Sequence, residues 1–273
     1  MTDLYAVIGN PIGHTKSPFI HGRFASLTGQ DLNYSAIEGS VEGFIETVRS
    51  FFRTGGKGMN VTAPFKLQAF EMADERSERA RLAGAVNALK YENGRIYAEN
   101  FDGIGLLNDI QRNIGLPFEG KRVLVLGAGG AARGALLPFL QAGPADLVVC
   151  NRTHAKAQGL AGQFAGFGPI RAETAEQLAG RHFDIVINAT SASLHGALPE
   201  VPSSVFEQAE LAYELAYGKG LTPFLKQAQQ SGAQRLADGV GMLVEQAAEA
   251  FVWWRGVRPE TTGLIGEMTI PLI

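Results

Sequence analysis

The chain has 273 residues, 45% of them hydrophobic and 19% charged, with a formal net charge of −3. That length suffices for two ordinary domains, and the composition is that of a soluble globular protein. Interspersed charges without a basic run exclude a nucleic-acid or anionic-membrane surface, and no apolar run approaches the roughly 20 residues of a membrane helix. The N-terminus, MTDLYAVIGN, lacks the basic-then-apolar pattern of a secretory signal, so a cytoplasmic location is expected. Cys150, the one cysteine, ends an apolar run and reads as a buried small hydrophobe. The five histidines show no metal-ligand spacing, and no metal is expected.

In chain order, LYAVIG reads as a short buried strand and NPIGHTKSP as a loop. Ser17-Pro18 predicts a helix start, with Ser17 capping, Pro18 in the first turn and Gly29 closing the far end. LNYSAIE is strand-like, and Val41, Phe44, Ile45, Val48 and Phe52 then recur at helical spacing until Gly55-Gly56. KGMNV predicts a further strand, after which Thr62 and Pro64 can open a helix. Asn93-Gly94, between AVNALKYE and RIYAENF, signals a type I′ hairpin. From Asp102 the rhythm changes. DGIGLLNDIQRNIG reads as a connecting helix, and RVLVLG, DLVVCN, GPIRA, FDIVINA and ELAYEL read as strands, each followed by helix-forming sequence. This is a doubly wound pattern. The last long helix, MLVEQAAEAFVWWRG, is expected to cross back onto the N-terminal domain. Trp253-Trp254 on it could serve as an interface patch for a homodimer, but adjacent helix residues point about 100° apart, so one of them is expected in the core.

In KRVLVLGAGGAARGALLPFL a strand runs through a glycine turn into a helix, which presents backbone N–H groups to a pyrophosphate. Gly127 permits the tight turn, Gly129 leaves room for the phosphates, and Ala132 stands where a third glycine often sits. The next strand ends in Asn151-Arg152-Thr153, where NAD-binding versions carry Asp or Glu. Arg152 is a fixed cation with a planar fork suited to a 2′-phosphate, which points to NADP. Asn151 and Thr153 can add hydrogen bonds there. Thr190 and Ser191 lie at a strand's carboxyl end, where this fold places ligands, although loop capping explains them nearly as well.

The N-terminal third carries a different chemistry. Loops 9–18 and 60–66, with Asn87 and Asp102, offer hydroxyls, amides, one amine and one carboxylate. Such groups suit a polyhydroxylated, weakly charged small molecule. A Lys66 held near Asp102 and partly desolvated can donate a proton to a carbonyl oxygen as hydride reaches its carbon. Taken singly, each residue has a plain structural reading: strand-end turn for the Asn residues, helix cap for Ser17, surface lysine for Lys66.

Taken together, GNPIGHTKSP, GMNVTAPFK, GAVNAL, NFDGIG, GAGGAAR, NRT, NATSAS, YGKGLTPFL and DGVGMLVEQAA follow the order seen in shikimate dehydrogenases. The chain resembles that family from about residue 4 to 258. The resemblance implies NADP-dependent interconversion of 3-dehydroshikimate and shikimate in the aromatic amino-acid pathway. It implies an α/β fold with two domains facing across a cleft: a substrate domain, 1–101 with 240–273, and a Rossmann NADP-binding domain, 102–239. It implies Lys66 and Asp102 as the catalytic pair. Thr15, Ser17, Asn60, Thr62, Asn87, Tyr217 and Gln246 match positions that contact the ring acid. Gly127, Ala128, Gly129, Gly130 and Ala131 match the phosphate turn, and Asn151, Arg152 and Thr153 the adenosine-phosphate motif. Leu215 and Gly239 match positions near the nicotinamide, where Thr190 is a further cofactor candidate.

The chain also departs from the family pattern. Phe101 stands beside Asp102 where a Thr is usual, Ala88 follows Asn87 where a Thr is usual, and Thr15 replaces a Ser. Glu214 and Leu215 replace an Asp and a Met. A Phe101 ring in the cleft would take space from the substrate, so a paralogue with weakened or altered turnover, on quinate or a related ring acid, is the rival expectation. The alternative is that Phe101 points away and changes little. A non-catalytic sensor of NADP and a ring acid is a third reading, against which the intact Lys66 and Asp102 argue.

Overall fold

The computed structural model describes residues 2–192 and 197–272; Ser193, the last residue of the NATSAS motif, lies outside them. The chain forms two compact units, one running up to Gly105 and resuming at Val244–Gly266, the other comprising Leu106–Leu243 and the residues from Glu267 onward. Each is built on its own six-stranded sheet.

The first unit runs β1 (Asp3–Gly9), α1 (Ser17–Thr28), β2 (Leu32–Glu38), α2 (Phe44–Arg53), β3 (Gly56–Val61), α3 (Lys66–Met72), β4 (Glu75–Arg76), α4 (Glu78–Ala83), β5 (Ala88–Glu92) and β6 (Arg95–Glu99). The sheet order is β2-β1-β3-β5-β6-β4. β1 lies parallel to β2 and β3, whereas β5 runs antiparallel to both β3 and β6. This mixed topology has a functional consequence. The ends of β1, β3 and β6 and the start of β5 emerge along one sheet edge, with Val7 opposite Asn60, Asn60 opposite Ala88, and Ala88 opposite Glu99. Four loops that carry polar residues therefore start from neighbouring points. The apolar body beneath them includes Ile8, Phe44, Val48, Phe52, Met59 and Phe65.

Local signals are largely realised. Asn93 and Gly94 both have positive φ, 52° and 77°, the requirement of a type I′ turn. Gly29 closes α1 in the left-handed region at φ 64°. Two expected caps are not formed. Lys16, without a side-chain cap, precedes α1, and Ser17 is its first helical residue. Thr62 does not open α3, which begins at Lys66 after a turn in which the Phe65 N–H donates to the Thr62 carbonyl at 3.0 Å. Both hydroxyls are thereby released from capping.

The second unit is entered through α5 (Asp102–Asn108) and a π-helical turn over Asp109–Asn113. It continues through β7 (Arg122–Leu126), α6 (Gly130–Gln141), β8 (Asp146–Cys150), α7 (His154–Phe164), β9 (Ile170–Glu173), β10 (Ile185–Asn188), β11 (Leu211–Glu214), α8 (Pro223–Gln230) and β12 (Leu236–Asp238). The strands are parallel throughout, in the order β12-β11-β10-β7-β8-β9, so the winding reverses between β7 and β10. In such sheets ligands bind at that switch point. β12 is an addition to the predicted strands. α9 (Val240–Arg255) then returns to the first unit, and α10 (Thr262–Met268) follows.

Cys150 is buried, and burial pushes its thiol up to about 11, as befits an inert core residue. Trp253 packs edge-on against Phe101, and Trp254 lies tilted against Tyr5 while its indole N–H donates to the Leu89 carbonyl at 3.1 Å. Both rings are thus engaged within the first unit. Among the described residues no helix is long and apolar enough to cross a membrane, and no cluster of His, Cys, Asp and Glu could hold a metal ion.

Candidate active site

The shared sheet edge of the first unit gathers most of the predicted substrate-side residues into one hydrogen-bonded chain. Lys66, the first residue of α3, donates from Nζ to Asp102 Oδ2 at 2.6 Å. Asp102 opens α5, and its Oδ1 accepts from Asn87 Nδ2 at 2.8 Å. Asn87 Nδ2 also lies 3.2 Å from Gln246 Oε1, and Asn87 Oδ1 accepts the Phe101 N–H at 2.9 Å. The Lys66 and Asp102 side chains are 34% and 18% exposed, so the pair is partly dry yet reachable. Gln246 reaches this point because Gly105 lets α9 approach α5: a Cβ there would stand 2.6 Å from the Gln246 backbone nitrogen.

Asn60, buried at the end of β3, donates to the Asn87 carbonyl at 3.1 Å. Its Oδ1 accepts the Tyr34 hydroxyl at 2.6 Å, and Ser17 is the other polar side chain acting on that hydroxyl. Thr15 Oγ1 lies 3.2 Å from Ser17 Oγ. Thr62 sits just beyond Asn60, its methyl against Gly9, where a Cβ would come within 2.5 Å. Tyr217 is not part of this cluster; it belongs to the second unit, where it is 45% exposed. Tyr34, by contrast, joins the chain although the sequence marks it only as a strand residue.

Two of the departures are buried. Phe101 is 3% exposed and packs with Ala88, Ala250 and Trp253, with the Arg79 guanidinium 5.6 Å above its ring. The ring goes inward while its neighbour Asp102 goes to the site, and the small side chain at 88 shares its cluster. Glu214 is fully buried. It accepts from Asn188 Nδ2 at 3.0 Å, from the Thr222 hydroxyl at 3.3 Å and from the Ala216 N–H at 3.3 Å.

The second unit supplies a different kind of site. Gly127 has φ +110°, and a Cβ on it would meet the Ala189 carbonyl at 3.0 Å, which ties β7 to β10 at the switch point. Gly129 precedes α6 without a side-chain cap, and the space beside Gly129 and Gly130 is open for 4 Å. Ala128 is half-buried and Ala131 exposed, whereas Ala132 is buried against the sheet. The first turn of α6 therefore keeps its N–H donors available, as a pyrophosphate requires.

At the end of β8, Asn151 Nδ2 donates to the Thr153 carbonyl at 2.9 Å, and Thr153 precedes α7 without capping it. Arg152 is exposed, and among the described residues no ion pair is formed at it. A second uncapped helix start with a cation beside it fits the extra phosphate of NADP. Thr190 uses both its N–H and its hydroxyl on Asn188 Oδ1, at 3.1 and 2.7 Å, which is loop capping. Gly239 lies directly on Leu215, whose carbonyl oxygen would stand 2.1 Å from a Cβ.

Comparison with known proteins agrees with this geometry. Residues 7–89 match the shikimate dehydrogenase substrate binding domain, 109–200 the shikimate / quinate 5-dehydrogenase domain, and 239–263 the shikimate 5′-dehydrogenase C-terminal domain. The chain belongs to the shikimate dehydrogenase family. A shikimate dehydrogenase (NADP(+)) from Nitrosospira multiformis is 55% identical over 97% of both chains. Among solved structures, an Ael1 enzyme from Pseudomonas putida is 64% identical over 100% of both chains, with a TM-score of 0.98. The shikimate 5-dehydrogenase of Thermus thermophilus, solved in complex with NADP(H) and shikimate, is 30% identical over 97% of this chain and 98% of its own, with a TM-score of 0.86. Membership of the shikimate dehydrogenase family accounts for both halves of the chain, the polar cluster on one sheet and the open glycine turn on the other.

Proposed function

We propose that the chain interconverts 3-dehydroshikimate and shikimate with NADP, as a cytoplasmic enzyme of aromatic amino-acid biosynthesis. The observation that carries this reading is the 2.6 Å Lys66–Asp102 contact inside a cluster of amides and hydroxyls. NADPH, when bound, supplies the hydride that reduces the ring ketone. Lys66 Nζ donates the proton that the carbonyl oxygen requires, and its positive charge stabilises the developing alkoxide. Asp102 holds Lys66 in place, and Asn87 occupies the other carboxylate oxygen, so the lysine has one direction in which to point. In the reverse direction Lys66 takes the hydroxyl proton back.

Thr15, Ser17, Asn60, Thr62 and Gln246 are assigned to the carboxylate and hydroxyls of the ring acid, with Tyr217 supplied by the second unit. Gly127, Ala128, Gly129, Gly130 and Ala131 are assigned to the pyrophosphate, and Asn151, Arg152 and Thr153 to the adenosine phosphate. Thr190, Leu215 and Gly239 are assigned to the nicotinamide end. Phe101 lies inside the unit, so nothing at that position favours a changed substrate. Trp253 and Trp254 pack within the chain but are each only half-buried, and sedimentation would test whether a homodimer forms.

The test is a steady-state panel of shikimate, quinate and related ring acids, each with NADP and with NAD. Shikimate with NADP is expected to give the highest kcat/KM. No turnover at high enzyme concentration, or preference for another acid or for NAD, would overturn the reading.

A further inference from the structure

Within the hydrogen-bonded chain of the first unit, every side chain but one carries an assigned role. The exception is Tyr34, on the edge strand β2. Its position is over-determined. Its ring lies parallel to that of His21, with centroids 4.2 Å apart and planes 5° from coplanar, and His21 is fully buried among Phe24, Phe251 and Trp254. Stacking holds the ring, and the ring aims the hydroxyl.

That hydroxyl has a single proton. It goes to Asn60 Oδ1 at 2.6 Å, so towards Ser17 the phenol oxygen can only accept. Burial pushes the phenol well above its usual pKa of 10, and the group stays a donor at any working pH. With Oδ1 filled, the Asn60 amide nitrogen faces the Asn87 carbonyl, to which it gives one N–H at 3.1 Å. Among the described residues its second N–H makes no hydrogen bond and is left for an acceptor. Without the phenol proton, the buried Asn60 oxygen would lose its donor and the amide could turn over, presenting an acceptor where a donor had been.

We propose that Tyr34 is a positioning residue: its hydroxyl fixes the Asn60 amide as a donor, preparing the site for the oxygen atoms of the ring acid. This rests on the assignment of Ser17 and Asn60 to substrate, proposed above. It adds that their orientation is set from the interior, by a residue that touches no ligand.

The test is Tyr34→Phe, which keeps the ring and its stack on His21 and removes only the hydroxyl. The KM for shikimate is expected to rise about tenfold, as for the loss of one to two net hydrogen bonds, with kcat within about threefold. The KM for NADP should stay close to that of the unmodified enzyme, and the melting temperature should fall by no more than a few degrees, the cost of one buried oxygen left without its donor. Ser17→Ala and Asn60→Ala, measured alongside, separate the two ways of failing. If both leave the shikimate KM unchanged, the substrate assignment is wrong and the proposal falls with it. If they raise it and Tyr34→Phe does not, the assignment stands and Tyr34 has no positioning role. A Tyr34→Phe enzyme that loses melting temperature and affinity for both ligands together would show a merely structural residue, which also overturns the proposal.

Discussion

The two units solve binding in opposite ways. On the substrate side, Tyr34, Asn60, Asn87, Asp102 and Lys66 are already bonded to one another, and Thr15 to Ser17 beside them. On the cofactor side, the starts of α6 and α7 are uncapped, and Arg152 forms no ion pair among the described residues. A pre-wired cluster fixes the direction of each donor before a ligand arrives, and so discriminates between arrangements of hydroxyls on a ring. Open helix starts do the reverse. They offer charge and N–H groups that a phosphate completes, which gives affinity with little demand on orientation. The contrast predicts that damage to the first region spreads among its members, whereas damage to the second stays local.

The largest effect should come from breaking the wired side at its reactive end. Lys66→Ala removes the proton donor and is expected to lower kcat by about 10²- to 10⁴-fold. Binding of NADPH, followed by its fluorescence, should be unchanged because Lys66 belongs to the other unit. Retained turnover would contradict its assignment. Next is the open side. Arg152→Gln should weaken NADP by about tenfold to a hundredfold, the worth of charge-assisted hydrogen bonds at roughly 1.5–3 kcal/mol. NAD affinity and the shikimate KM should hardly move. An equal rise in the shikimate KM would mean that the two regions are not separable in this way.

How much of this was legible in the sequence depends on what a residue's role required. Strand and helix periodicity placed most elements, because burial on one face leaves a repeating trace; β4 and β12 and the short helices α4 and α10 leave too little of one to read, and among the described residues only 3₁₀ turns follow β9 and β10 where helices were expected. The glycine turn and Asn151-Arg152-Thr153 were equally plain, since the binding assigned to them needs only the backbone itself and one charge. Side-chain direction was not legible. Phe101 and Asp102 are neighbours at the junction of β6 and α5, and consecutive residues there point to different sides. Of the two placements open to Phe101 in the sequence, the structure shows the inward one, in the cluster with Ala88. Ser17 looked like a helix cap because its type suits one, yet Lys16 takes that position and Ser17 joins the polar chain. Tyr34 was hidden for the same reason: only the fold brings it between Ser17 and Asn60.

The smallest predicted effect concerns what lies beneath the wired side. His21 supports the Tyr34 ring, its surroundings are aromatic, and neither of its ring nitrogens meets a hydrogen-bond partner of acceptable geometry, Asn60 being the one polar side chain acting on it. Burial holds it neutral, its pKa lowered from 6.5 to about 3. The folded protein therefore binds no proton at His21 over a range in which the unfolded chain does. Its contribution to stability is complete above the unfolded pKa near 6.5 and declines as pH falls towards 3, by at most about 1.4 kcal/mol per pH unit. His21→Phe keeps an aromatic plate under Tyr34 and removes the titration. Urea unfolding at stepped pH should show the unmodified protein losing stability between pH 6 and 4 more steeply than the variant, by about one proton's slope. The shikimate KM should change far less than in Tyr34→Phe, because the plate remains. Parallel slopes would mean that His21 is protonated in the folded protein. An aromatic plate would then be the wrong description of the ring that holds Tyr34.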